Sequence, residues 1–172
     1  MESNFARALQ HIFKMEGGFS NDPADHGGPT NWGITQATLA HWRGDPSADP
    51  RTLTLDETRA IYHANYWNTV RAPELPSGVD LVAFDVSVNS GPGRAIRMLQ
   101  EAVGAKQDGI FGPGTMKAVA ATTPAEIVSA MDRIRRVFYR TLCDNDSSQE
   151  RFYNGWINRL KATTALARTM VR

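Results

Sequence analysis

Glu16 stands directly after an amphipathic run and directly before Gly17-Gly18. A helix C-terminus carries partial negative charge, so a carboxyl placed there is disfavoured as a second negative charge and suited to donating a proton. The glycines let backbone and substrate approach closely. The segment that follows supplies Asp22, Asp25, Thr30, Asn31 and Trp32. Polar groups and an aromatic platform near a carboxyl suit a sugar site. Trp32, in this polar segment, and Tyr66, near the end of a later helix, are the aromatic candidates for sugar contact, with Asn89 as a polar one. Trp42, Tyr62, Trp67 and Trp156 are expected in core or interhelix contacts. His11, His26, His41 and His63 have no His-Glu-x-x-His or other ligand spacing, so neither a metal nor another cofactor is expected. The lone Cys143 excludes an internal disulfide and reads as a buried small hydrophobe.

Helices must position these groups. Phe5, Ala8, Leu9, Ile12 and Phe13 share one face at helical spacing, predicting a first helix from Asn4 to Met15 with Ser3 as N-cap. Residues 19–34 are rich in Gly, Pro, Asn and Asp, which predicts a long loop or a short hairpin. A helix over Gln36–Arg43 is capped by Thr35 and closed by Gly44. Thr54-Leu55-Asp56-Glu57 predicts a capping box and a helix to about Asn68. Val79–Val88 reads as a buried apolar helix. Further helices end at Val103, run from Gly112-Pro113 to Ala121, run from the Thr123-Pro124-Ala125-Glu126 capping box to about Cys143, and open at Ser147. With no β-rich region, the expected class is all-α.

At 172 residues the chain can bury a core without staples. No stretch is long and apolar enough for a membrane span, and the N-terminal residues lack the basic start and apolar run of a signal peptide. Residues 1–90 carry 6 Lys/Arg against 11 Asp/Glu, net −5, and residues 91–172 carry 13 against 7, net +6. The second half therefore favours an anionic partner. Nucleic acid is not expected, because glycine-rich phosphate loops and interleaved aromatic and basic residues are missing. Arg133, Arg136 and Arg140 form the expected cationic helix face.

The strings Glu16-Gly17-Gly18-Phe19, Asn21-Asp22-Pro23-Ala24-Asp25 and Gly27-Gly28-Pro29-Thr30-Asn31-Trp32-Gly33-Ile34-Thr35, with Tyr66-Trp67 later, resemble the signature of glycoside hydrolase family 108. That family comprises N-acetylmuramidases of phage endolysins and secretion-activator proteins. The resemblance implies a lysozyme-like helical bundle, peptidoglycan glycan strands as substrate, and Glu16 as catalytic acid. The spacing Glu16-x8-Asp25-x4-Thr30 is one residue shorter than the phage-type lysozyme arrangement Glu-x8-Asp-x5-Thr. By that likeness Asp25 steers a water or stabilises the oxocarbenium-like transition state, and Thr30 positions the water. Asp22 is the rival for the aspartate role.

Met98-Leu99-Gln100, then Gln107-Asp108-Gly109-Ile110-Phe111-Gly112-Pro113-Gly114-Thr115, resembles the peptidoglycan-binding modules that follow this catalytic unit. The same pattern has a purely structural reading: a helix, a tight Asp-Gly turn and a second helix entered through Pro. Arg151-Phe152, Gly155-Trp156 and Asn158-Arg159 resemble the C-terminal helix of these proteins, with Gly155 expected at a close helix contact. The resulting expectation is a monomeric, endolysin-like enzyme with a catalytic region over residues 1–90 and a wall-binding region over residues 91–172. It is made in the cytoplasm and reaches the wall through another factor. The alternative is a non-catalytic wall-binding protein in which Glu16 merely ends a helix. If Asp25 and Thr30 manage the water, Asp25→Ala and Thr30→Ala lower turnover more than wall affinity. Steady-state kinetics beside a wall pull-down checks this, and an affinity loss with turnover intact makes them binding residues instead.

Overall fold

The computed structural model describes residues 1–16 and 30–171. Among these residues the class is all-α and lysozyme-like, with one short hairpin after the first helix. The elements are α1 (Phe5–Glu16), β1 (Thr30–Asn31), β2 (Ile34–Thr35), α2 (Gln36–Arg43), α3 (Leu55–Tyr62), α4 (Val79–Ser90), α5 (Pro92–Ala102), α6 (Pro113–Ala120), α7 (Pro124–Asn145) and α8 (Glu150–Met170). They pack as two compact units, Ala6–Asn65 and Met1–Phe5 with Tyr66–Arg172. No helix among the described residues is long and apolar enough to cross a membrane.

In the smaller unit, α1 buries Ala8, Leu9 and Ile12, the stripe its periodicity predicts. Its start differs from expectation. A 3-10 turn over Glu2–Asn4 precedes α1, so Ser3 lies inside that turn rather than at the head of α1. Thr35 caps α2 by accepting from the Thr38 amide at 3.1 Å, and Gly44 closes it at φ +66°. Thr54 caps α3 through the Glu57 amide at 3.2 Å. The return bond of a capping box is not what Glu57 makes. Its carboxylate takes a bidentate grip from Arg43, at 2.7 and 2.6 Å, because a charged fork offers more than a neutral amide. α3 also stops short of Asn68: after Tyr62 the chain widens into a π-helical turn over His63–Trp67.

In the larger unit every residue of α4 from Val79 to Ser87 is buried. Phe84 meets Trp67 edge-on at 5.2 Å, and Phe5 packs on both rings. Gln100 ties down the loop after α5. Its amide nitrogen donates towards Asp108, the Ile110 carbonyl and Thr115, and its oxygen accepts from the Gly109 amide. The Leu-Gln and Asp-Gly pattern thus has a structural use: one buried side chain satisfies a tight turn. At α7 the full capping box forms between Thr123 and Glu126. Cys143 is buried, as its type predicts. Gly155 does not mediate a close helix contact: a Cβ built there meets nothing within 4 Å.

Asp85 on α4 is fully buried, yet charged partners reach it from two helices. Arg135 of α7 and Arg159 of α8 each donate at 2.8 Å. Burial pushes the Asp85 carboxyl up, but the two guanidiniums and their hydrogen bonds outweigh it and hold the group below the ordinary aspartate value. The network continues, since Arg135 donates to the Tyr139 hydroxyl at 3.0 Å and that hydroxyl donates to Asn89 at 2.9 Å. Arg135 Nε and Nη1 are buried without an acceptor among the described residues, so Asp85 carries most of its compensation.

Removing one partner of a buried ion pair costs about 3–5 kcal/mol, and Asp85→Asn is expected to destabilise the protein by that order in urea denaturation at pH 7. The sign with pH follows from the lowered value. The charged carboxylate stabilises the fold fully above the ordinary aspartate pKa and loses that contribution as pH falls towards the folded-state value. The gap between wild type and Asp85→Asn should therefore begin to narrow below about pH 4. A gap that stays constant down to pH 3, or a variant as stable as wild type at pH 7, contradicts this account.

Candidate active site

Two residues, Trp32 and Gly33, connect the antiparallel strands β1 and β2, whose register pairs Thr30 with Thr35 and Asn31 with Ile34. Both connecting residues have positive φ, +48° and +74°, the pattern of a type I′ hairpin turn. Glycine enters this region freely, whereas a residue with a Cβ pays about 1–2 kcal/mol there. Trp32 is held in it by its neighbours. The Tyr62 hydroxyl donates to the Trp32 carbonyl at 2.7 Å. The Phe13 ring stacks on Trp32 at 5.9 Å and meets Tyr62 edge-on at 5.8 Å. Fully buried Ile34 anchors the returning strand.

Glu16 is the last residue of α1, one helical turn beyond Phe13, and is half-buried. Its carboxyl lies against Gly33. A Cβ built on Gly33 would come 2.9 Å from Glu16 Oε2, 3.2 Å from its Cγ and 2.7 Å from the Tyr62 hydroxyl. The missing side chain at Gly33 is therefore the space that the acid and the phenol share. The carboxyl is thus seated against the Gly33 backbone, next to the Tyr62 hydroxyl.

The other predicted site residues fall differently. Asp22 and Asp25 lie outside the described residues, as does the side chain of Thr30, whose backbone forms β1. Asn31 uses its amide on the Pro50 carbonyl at 3.1 Å, where it braces the hairpin base. Trp32 is half-buried at the turn. Tyr66 and Asn89 belong to the other compact unit. Tyr66 is half-buried in the π-helical turn. Asn89 accepts from Tyr139 and Ser90 and lines a cavity of about 210 Å³ with Arg94, Tyr139 and Trp156. Sequence reasoning overlooked the parts played by Gly33, Tyr62 and Phe13. The glycine at Gly33, followed by β-branched Ile34 and Thr35, is the local signal of the turn. Among the described residues no group of His, Cys, Asp and Glu has the geometry of a metal site.

The cationic face expected on α7 is largely neutralised. Arg136 sits on Asp132 at 2.7 Å, and Arg140 reaches both Asp144, at 3.0 Å, and Glu150. Helical i, i+4 spacing brings Asp132 to Arg136 and Asp144 to Arg140, and among the described residues Arg133 is the member of the three without an ion pair.

A family described as Glycosyl hydrolase 108 matches residues 9–91, and one described as a Predicted Peptidoglycan domain matches residues 94–161. The solved structure of SagA from Brucella abortus is similar over the whole chain. It is 36% identical, covers 100% of this chain and 98% of its own, and superposes with a TM-score of 0.89. No curated protein matches the chain.

Adding a methyl at Gly33 tests the seat of the acid. Gly33→Ala is expected to cost about 1–2 kcal/mol of stability, from the left-handed backbone, while turnover on peptidoglycan falls by about tenfold or more because the Glu16 carboxyl must move. Turbidity clearing measured beside urea denaturation checks both. Turnover near wild type would show that Glu16 does not depend on this seat.

Proposed function

The chain belongs to the glycosyl hydrolase 108 family, and on that premise we propose that this peptidoglycan glycosidase is an N-acetylmuramidase with Glu16 as its general acid. The bond cut is the β-1,4 link between N-acetylmuramic acid and N-acetylglucosamine. The observation that carries the reading is the Glu16 carboxyl, half-buried at the end of α1 and seated on side-chain-free Gly33 beside the Tyr62 hydroxyl.

In this mechanism Glu16 donates its proton to the glycosidic oxygen as the bond from that oxygen to the muramic acid C1 breaks. Positive charge develops across C1 and the ring oxygen, and water supplies the new bond to C1 while its proton leaves to a base. Asp25, or its rival Asp22, steers that water or stabilises the charge, and Thr30 positions it. Trp32 offers an aromatic surface to a sugar face. Tyr66 and Asn89 are assigned to flanking sugar contacts. In the same reading residues 1–90 carry the chemistry and residues 91–172 hold the wall, as an endolysin-like arrangement requires.

Glu16→Gln keeps the shape of the side chain and removes the proton. It is expected to abolish clearing of purified peptidoglycan while the helical circular dichroism and urea midpoint stay close to wild type. Mass spectrometry of wild-type fragments should give new reducing ends on N-acetylmuramic acid. Activity of Glu16→Gln within a few-fold of wild type rules out the assigned acid. An inert wild type that still binds walls supports the non-catalytic reading, and fragments cut in the peptide place the chemistry elsewhere.

A further inference from the structure

A groove of about 710 Å³ runs between α5 and α7, within the larger compact unit. Arg94, Arg97 and Arg133 stand around it, and Met98, Val137 and Phe138 contribute apolar surface. Val137, near the middle of α7, is 67% exposed and presents apolar surface to the groove. None of the three arginines takes part in an ion pair among the described residues, whereas Arg135, Arg136, Arg140 and Arg159 all sit on carboxylates. Among the described residues Glu101 is the one carboxylate on the groove wall, so this lining is net positive.

Two of these guanidiniums are also held in place. Arg94 lies over the Phe138 ring at 4.3 Å. Arg97 lies against Gly109, which adopts φ +77°, and a Cβ there would come 3.0 Å from the guanidinium carbon. The Asp108-Gly109 turn therefore leaves a flat surface for Arg97. Arginines held by ring and backbone contacts, without a carboxylate partner, keep their forked donors for an incoming anion.

We infer that this groove binds a short acidic peptide, the carboxylate-bearing stem carried by peptidoglycan strands, with the arginines on its carboxylates and Met98 and Val137 against its aliphatic side chains. An uncharged sugar chain has no use for three unpaired guanidiniums. A single-stranded nucleic acid uses open aromatic faces for stacking, and the Phe138 face is already under Arg94. The volume lies in the range that encloses a small ligand rather than a folded partner. The inference rests on the peptidoglycan reading above, and it names the part of the polymer that the second half of the chain recognises.

The experiment titrates the full-length protein calorimetrically with a free synthetic stem tetrapeptide, L-alanyl-γ-D-glutamyl-meso-diaminopimelyl-D-alanine, at low and high salt. Wild type should bind, and binding should weaken with salt. Arg97→Gln combined with Arg133→Gln should weaken it about tenfold or more. Arg136→Gln, whose guanidinium rests on Asp132, should stay within about twofold of wild type. The same peptide with its carboxyls amidated should fail to bind. Absence of wild-type binding, equal binding of the amidated peptide, or an unchanged double variant overturns the inference. So does a glycerol phosphate oligomer that binds in place of the peptide, which assigns the groove to a phosphate polymer. Cleavage of a stem-free glycan, measured on the same proteins, keeps the two claims apart. Cleavage without peptide binding sinks the groove alone, and peptide binding without cleavage sinks the muramidase reading alone.

Discussion

Asp85, a fully buried carboxylate, is held between the guanidiniums of Arg135 and Arg159, and the larger compact unit is arranged around that compensation. An uncompensated charge in this position would cost several kcal/mol, so α4, α7 and α8 must meet in one register to satisfy it. The apolar surface of α4 is buried on all sides and by itself would tolerate rotation or sliding. The ion pairs remove that freedom. Tyr139 extends the constraint from Arg135 to Asn89 and stacks on Trp156 at 5.3 Å, so the polar network and the aromatic packing fix the same three helices.

The pairing also sorts the basic residues of the second half. A net charge of +6 suggests a uniformly cationic surface, but Arg135, Arg136, Arg140 and Arg159 are committed to carboxylates inside the molecule or at its surface. Among the arginines without an ion pair in the described residues, Arg94, Arg97 and Arg133 stand around one groove. Net charge describes the far field, whereas recognition depends on which charges are left without a partner.

In the smaller unit the governing constraint is steric. The I′ turn requires a left-handed backbone at Trp32 and Gly33, and the missing side chain at Gly33 leaves room for the Glu16 carboxyl. Phe13, Tyr62 and Trp32 lock together by ring contacts and one hydrogen bond, which sets the position of the end of α1 against the hairpin. The positive φ at Trp32 is thus held by packing against Phe13 and Tyr62.

The all-α class, the hairpin after α1 and most helix limits were legible in the sequence, because caps, glycine stops and apolar periodicity act locally: Thr35 and Gly44 around α2, and Thr123 with Glu126 at α7. The family strings pointed to a glycosidase for a related reason, since a family signature is a set of residue types at fixed spacing. Where a side chain had a choice of partners, local rules were insufficient. Glu57 left its capping box for Arg43, Asn31 turned to Pro50, and Arg136 and Arg140 spent their charge on neighbours. The role of Tyr62, the emptiness around Gly155 and the Asp85 network could not be read either. Each depends on which residues, far apart in the chain, come within a few ångströms, and only burial in the folded molecule makes those distances energetically decisive.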